Sequence, residues 1–275
     1  MTALARGLEV LACFRSGDAL LGNGELAARC RLPKSTVSRL AQTLERLGYL
    51  RYVEPVAKYR LGSATLGLGS AVLSGLGIRQ IARPMMQEVA DFSEAVVALG
   101  VRVATGIIYV EVCRHASAMT LSLDVGSRVP VATTAIGRAY FATAGDGERA
   151  DLARQLRAAD AAGWPQHRRD LAAAVEQHKK LGCCGSFGDW QSDINGIAIG
   201  FQPGGSLPAM AINCGGPSFS LSRAFLLAEV RPRLSNVVRR LQETLGHTSD
   251  GHAPGDPVTP RRVTPAARTR SRRRA

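Results

Sequence analysis

The chain has 275 residues, 45% hydrophobic and 21% charged, with a formal net charge of +13 and a pI near 10.3. That length suits two domains. No apolar run reaches the roughly 18 residues of a membrane-spanning helix. The opening MTALARGLEVLACF lacks a basic leader, apolar block and cleavage site, so a cytoplasmic chain with no membrane partner is expected.

Positive charge gathers at the two ends. Residues 1–62 hold ten Lys/Arg against five Asp/Glu, and 248–275 hold seven Arg against two Asp, while the long middle holds 18 against 15. Basic groups gain free energy by releasing counterions condensed on phosphate, so a polyanion is the natural partner; solubility alone is the other reading. The six cysteines include no C-x-x-C pair and have no spaced histidines. Neither a structural zinc site nor a disulfide framework is expected; most should be reduced, buried small hydrophobes.

In chain order, Ala3–Phe14 places Leu4, Leu8 and Leu11 in a helical stripe. Arg15–Leu21 reads as a turn and Gly24–Cys30 as a short helix. Pro33 suits the first turn of a second helix, Lys34–Leu47, with Val37, Leu40, Leu44 and Leu47 on one face and Gly48 as its stop. Tyr49–Val53 and Lys58–Leu61 form a hairpin around Glu54-Pro55, with Pro55 off the ladder. Ser63–Leu76 is helical, with Leu66, Leu73 and Leu76 aligned. So is Ile78–Phe92, with Ile81, Met85, Val89 and Phe92 inward.

Then the period changes. Val96–Val103 and Ile107–Cys113 flank Thr105-Gly106 as a β-hairpin, and Thr120–Asp124 continues the sheet. Ala135–Ala144 is a small-residue helix. Asp146–Ala159 and Gln166–Leu181 are helices broken at Gly163-Trp164-Pro165. Ile194–Phe201 and Ala209–Cys214 are strands joined by Pro-Gly-Gly, and Phe219–Leu245 is a closing helix. The fold class is α+β, an antiparallel or mixed sheet flanked by helices. The expected units are a winged helix-turn-helix at 1–62, a linker helix at 63–77, a sensor-type domain at 78–247 and a disordered Arg/Pro-rich tail at 248–275.

The helix-turn-helix carries the chemistry. Leu26, Ala27, Val37 and Leu40 pack inward, so the second helix presents Lys34, Ser35, Thr36, Ser38 and Arg39 outward. Short hydroxyls and long cations at a helix N-terminus suit the major groove of double-stranded DNA, where an arginine pairs with guanine. The hairpin behind it carries Arg51, Lys58 and Arg60 as a wing beside the backbone. The bland alternative is an ordinary helical hairpin.

The runs ALARGLEVLACF, LPKSTVSRLAQTLERLGYL and YRLG resemble the IclR (isocitrate lyase regulator) family of bacterial transcriptional regulators. So do Gly126–Ala139, the segment Gly188-Asp-Trp, and Ile194–Gly200. The resemblance runs in order through residues 2–245 and implies a GAF-like effector domain. It also implies a homodimer or dimer of dimers, and operator DNA whose binding responds to a small organic acid or aromatic metabolite. Asn23 and Gly200 depart from the family pattern. Carried over by position, the effector site comprises Thr134, Ala135, Ile136, Asp189, Trp190, Ile197, Asn213 and Cys214. The same residues could simply pack the core.

Other signals point nowhere firm. Gly67-Leu-Gly69 lacks the rest of a dinucleotide fingerprint, and Cys184-Gly185-Ser186 lacks the rest of a thiol-protease signature. Vicinal Cys183-Cys184 could sense oxidants, though buried thiols are the plainer reading. His115 and His178 are scattered. No catalytic residue, cofactor or metal is expected; an enzyme with an accessory DNA-binding module is the alternative.

Overall fold

The computed structural model describes residues 2–15, 17–116, 123–204 and 207–249, with side chains to 245. The Thr120–Asp124 strand falls largely outside these residues, and so does all but the first two residues of the 248–275 tail.

The N-terminal unit comprises α1 (Ala3–Ala12), β1 (Leu21–Gly22), α2 (Asn23–Cys30), α3 (Lys34–Arg46), β2 (Leu50–Val53) and β3 (Lys58–Leu61). Its sheet has the order β1-β3-β2, all antiparallel, and β1 is a strand too short for sequence patterning to reveal. A 3-10 turn at Glu54–Val56 carries Pro55 clear of the ladder, as expected. Val10, Leu26, Val37, Ala41 and Leu50 are fully or almost fully buried in one core. The expected α1 stripe holds only at Leu11, which packs against this core: Leu4 and Leu8 are 73% and 58% exposed, and Gly7 and Val10 face inward instead. Leu47 too is exposed rather than aligned with the core.

Next come α4 (Ala64–Gly75) and α5 (Ile78–Ser93). No residue of α4 is buried, and Leu66 and Val72 stand 74% and 63% exposed. Only Leu73 and Leu76, at its C-terminal end, touch the core that follows. In α5, Met85 and Val89 are inward as expected. Phe92 instead lies on the surface, sandwiched between Phe225 and the Arg233 guanidinium.

Six strands build the second sheet: β4 (Val96–Val103), β5 (Gly106–Arg114), β6 (Arg128–Pro130), β7 (Cys184–Phe187), β8 (Ile194–Phe201) and β9 (Met210–Pro217). The order is β6-β5-β4-β9-β8-β7 and every pairing is antiparallel, so the mixed option falls. β6 and β7 are strands the sequence reading missed. One face, through Val97, Leu99, Ile197, Ile199, Ile212 and Cys214, packs on α5 and the C-terminal helix. The other, through Val96, Ala98, Ala198 and Ala211, packs on α6 (Ala135–Thr143), α7 (Asp146–Ala159) and α8 (Trp164–Leu181).

A β-bulge interrupts this alternation. Leu99 pairs with Glu111 and Gly100 with Tyr109, which leaves Val110 over. Tyr109 therefore faces the α6 layer while Glu111 faces α5. There the Glu111 carboxylate, 3% exposed as a residue, pairs with the Arg79 guanidinium at 3.1 Å and accepts from Arg83 at 2.6 Å. At the far edge, side chains occupy the outward backbone groups of β7. The Gly185 N–H donates to Gln177 at 2.9 Å, its carbonyl accepts from Arg138 at 3.0 Å, and the Phe187 N–H donates to Asp189 at 3.2 Å.

The closing helix does not begin at Phe219, which is 91% exposed. Ser222 caps α9 (Arg223–Phe225), a π turn follows at Leu226–Val230, and α10 runs from Arg231 to Ser249. No described helix is long and apolar enough to cross a membrane.

Candidate functional site

Two regions gather the residues singled out above. In the first, α2 ends on Arg31 in the left-handed conformation (φ 54°), which turns the chain sharply into Pro33 and α3. No side chain caps α3 and no acid lies in its first turn, so its N-terminal N–H groups and positive dipole end are uncompensated. Lys34, Ser35 and Arg39 are exposed there and Thr36 is half-buried. Among the described residues, Lys34, Arg39 and Arg51 carry no ion pair.

Two predicted members have other work. Ser38 Oγ accepts from Asn23 Nδ2 at 3.0 Å, and the same amide donates to the Lys34 carbonyl at 3.2 Å. Asn23 is thus a polar clasp between α2 and α3. Lys58 is tied to Glu25 of α2 at 3.0 Å, and Glu25 also accepts the Gly22 N–H at 2.8 Å. The Gly22 amide first, then Lys58, holds the Glu25 carboxyl below its usual range. Arg29 likewise pairs with Asp18 and bonds the Cys13 carbonyl, bracing the unit from behind.

The second region is a cavity of about 40 Å³ at the N-terminus of α6. Thr134, Ala135, Ile136, Trp190 and Asn213 line it, as carried over. Thr134 caps the helix: its Oγ1 accepts the Gly137 N–H at 3.2 Å and donates to the Pro130 carbonyl at 2.5 Å. The N–H groups of Ala135 and Ile136 have no intrahelical acceptor, which suits an anion. Among the described residues, no charged side chain lines the cavity. Asn213 Oδ1 is buried without a protein partner. Tyr109 is buried beside the Asn213 amide, and burial pushes its hydroxyl pKa well above the usual value.

Three carried-over residues do not line it. Ile197 and Cys214 are fully buried in the core on the opposite face of the sheet. Neighbours in a strand point oppositely, so Asn213 facing α6 obliges Cys214 to face α5, and Gly196 facing α6 does the same for Ile197. Asp189 instead accepts from the buried Arg138 at 2.7 Å. That guanidinium also donates to the Ala132 and Gly185 carbonyls, joining α6 to β7. The sequence reading missed Tyr109, Ser186, Asn195, Gly196 and Gly215. Strand alternation from Asn213 would have found Gly215, whereas Tyr109 depends on the bulge.

Cys183, just before β7, and Cys184, its first residue, also face opposite layers, so no mutual disulfide fits without turning the chain over. Burial pushes both thiols up, Cys184 to about 12.

The chain matches the IclR helix-turn-helix domain over residues 3–54 and the bacterial transcriptional regulator IclR C-terminal domain over 70–243. It is 33% identical over 242 residues to the HTH-type transcriptional regulator TsaQ1/TsaQ2 of Comamonas testosteroni, covering 87% of each chain. An IclR family transcriptional regulator from Brucella abortus superposes with a TM-score of 0.82 at 39% identity, covering 89% of this chain and 92% of that one. An IclR homologue from Microbacterium hydrocarbonoxydans, crystallised with 4-hydroxybenzoate, shares the fold at 22% identity, with a TM-score of 0.64 over 90% of this chain and 100% of that one.

Proposed function

Because the chain belongs to the IclR family of DNA-binding transcriptional regulators, we propose that it is an operator-binding protein whose α3 enters the major groove and whose α6 cavity receives a small organic acid or aromatic metabolite. One observation carries the DNA half: the start of α3 is exposed, uncapped, free of acids and flanked by the unpaired cations Lys34 and Arg39. Ser35 and Thr36 meet phosphate or base edges, Arg39 reads a base, and Arg51 stands along the backbone. Ser38 and Lys58 act here through the helix pair they brace.

The ligand half rests on the lining. The Ala135 and Ile136 amides would hold a carboxylate, while Asn213 Oδ1 asks for a donor such as a hydroxyl. A cavity of about 40 Å³ holds only water-sized groups, so a metabolite enters by displacing Trp190, which lies on the turn between β7 and β8. The 4-hydroxybenzoate bound by the Microbacterium homologue has both groups. A second copy of the chain would cover the exposed apolar side chains of α1 and α4. The same reading places the protein in the cytoplasm and assigns it no catalysis, cofactor or metal.

The test is a selection of duplexes from random sequence by the wild-type protein, followed by gel shift with Arg39→Ala. Loss of a bidentate guanine contact costs about 1–3 kcal/mol and relaxes sequence preference at one position. Failure of the wild type to enrich any sequence would refute the proposal. For the cavity, a thermal-shift panel begins with 4-hydroxybenzoate. A ligand at about 100 times its Kd stabilises by about 2.7 kcal/mol, and Asn213→Ala should abolish the shift.

A further inference from the structure

The two cysteines of the N-terminal unit stand apart from the other four. Cys13 follows the last residue of α1 and Cys30 ends α2, and their sulfurs lie 2.9 Å apart across the helix packing. That is closer than two unbonded sulfurs rest at van der Waals contact. The two side chains already point at one another as a disulfide needs, and no other pair of thiols is so placed among the described residues. Cys13 is buried while Cys30 is only partly buried, so Cys30 is the member of the pair nearer to solvent.

We propose that Cys13 and Cys30 are a modification site: a dithiol that a small-molecule disulfide oxidises to an intramolecular bond stapling α1 to α2. In the first step the Cys30 thiolate, its proton lost to water, attacks one sulfur of the small disulfide, forming a mixed disulfide and releasing one small thiolate. The Cys13 thiolate then attacks the Cys30 sulfur, forming the Cys13–Cys30 bond and expelling the second small thiolate. Two protein thiols are oxidised, one small disulfide is reduced, and two protons leave.

The environment sets the character of the site. Cys30 sits at the C-terminus of α2, whose negative dipole end disfavours a thiolate. Burial and the neighbouring Cys13 push Cys30 up to about 12. Thiolate is therefore scarce at neutral pH, and closure is slow and accelerates about tenfold per pH unit. The same property makes the Cys30 sulfur a poor leaving group, so the closed bond is slow to be reduced by attack at Cys13. This is a slow, persistent staple rather than a fast sensor. It lies behind the α3 face, and the inference stands whatever α3 binds.

The test uses the full chain incubated with oxidised glutathione at pH 7 to 9, quenched with N-ethylmaleimide, digested and analysed by mass spectrometry. Expected are a linked Cys13–Cys30 peptide, a closure rate that climbs with pH, and unlinked Cys113, Cys183, Cys184 and Cys214. The melting of the N-terminal unit should rise by several degrees, reversed by dithiothreitol and absent in Cys30→Ser and in Cys13→Ser. Recovery of Cys13 and Cys30 as alkylated thiols, or as separate glutathione adducts, after prolonged oxidation of the wild type would overturn the proposal. So would a linked protein that melts no higher than the reduced one.

Discussion

Replacing Gly137 by alanine adds one methyl group where the fold has no room for it. Gly137 lies in the first turn of α6, and a Cβ there would stand 2.3 Å from Val131 Cα and 2.4 Å from the Val131 carbonyl oxygen. Ordinary contact begins beyond about 3.4 Å, so the helix start or the β6–α6 connection must move by roughly 1 Å. The obstructing atoms are backbone, and no rotamer can relieve them. Overpacking of this kind costs about 1–3 kcal/mol, against which alanine returns about 1 kcal/mol of helix propensity. The net is a destabilisation of about 1 kcal/mol, or roughly 2–4 °C in Tm for a unit of this size. Gly147 in α7 is the internal control, because a Cβ there meets nothing within 4 Å. Gly147→Ala should leave Tm unchanged or raise it by up to about 2 °C. Calorimetry on the three proteins decides. A Gly137→Ala protein melting within 1 °C of wild type, or a Gly147→Ala protein falling as far as Gly137→Ala, would refute the argument from close approach.

Arg138→Met leaves the Ala132 and Gly185 carbonyls without their donor and should cost about 2–4 kcal/mol, read by chemical denaturation. Asp18 is held below its usual pKa first by the Arg29 side chain and then by the Arg15 amide. Its stabilising contribution is therefore present above the unfolded value and is lost as pH falls through the folded one. The Tm gap between wild type and Asp18→Asn should be open at pH 7 and close below pH 3.8. Lys34→Ala should reduce the slope of log affinity against log salt by about 1, equally for every duplex sequence. Val72→Glu on the exposed face of α4 should shift sedimentation toward the monomer; an unchanged profile would remove α4 from self-association.

The helix-turn-helix was readable because three independent signals coincide in Asn23–Arg46: an apolar stripe, a proline at the second helix start and a polar outward turn. Periodicity alone did not reveal which side of a helix meets the core. Leu4 and Leu8 obey the 3.6-residue spacing as well as Val10 does, and only the packing of α1 on α3 decides between them. β6 and β7, three and four residues long, offer too few positions for alternation to register. Half of the cavity was legible from the cap at Thr134, since a threonine before a run of small residues marks a helix start. The other half depends on Val110, whose extra place in the ladder turns Tyr109 inward and cannot be counted from sequence.

The dressing of β7 by Gln177, Arg138 and Asp189 bears on how the molecule behaves in company. A bare outer strand is a template on which another chain can continue the ladder. Here an incoming segment would first have to strip away an amide, a guanidinium and a carboxylate, each already satisfied and one of them locked in the protein interior. Growth of the sheet from that rim is opposed by the same arginine that fastens α6 in place. Crowded copies of this chain should therefore meet through side-chain surfaces, and the rim stays closed for as long as Arg138 keeps its three partners.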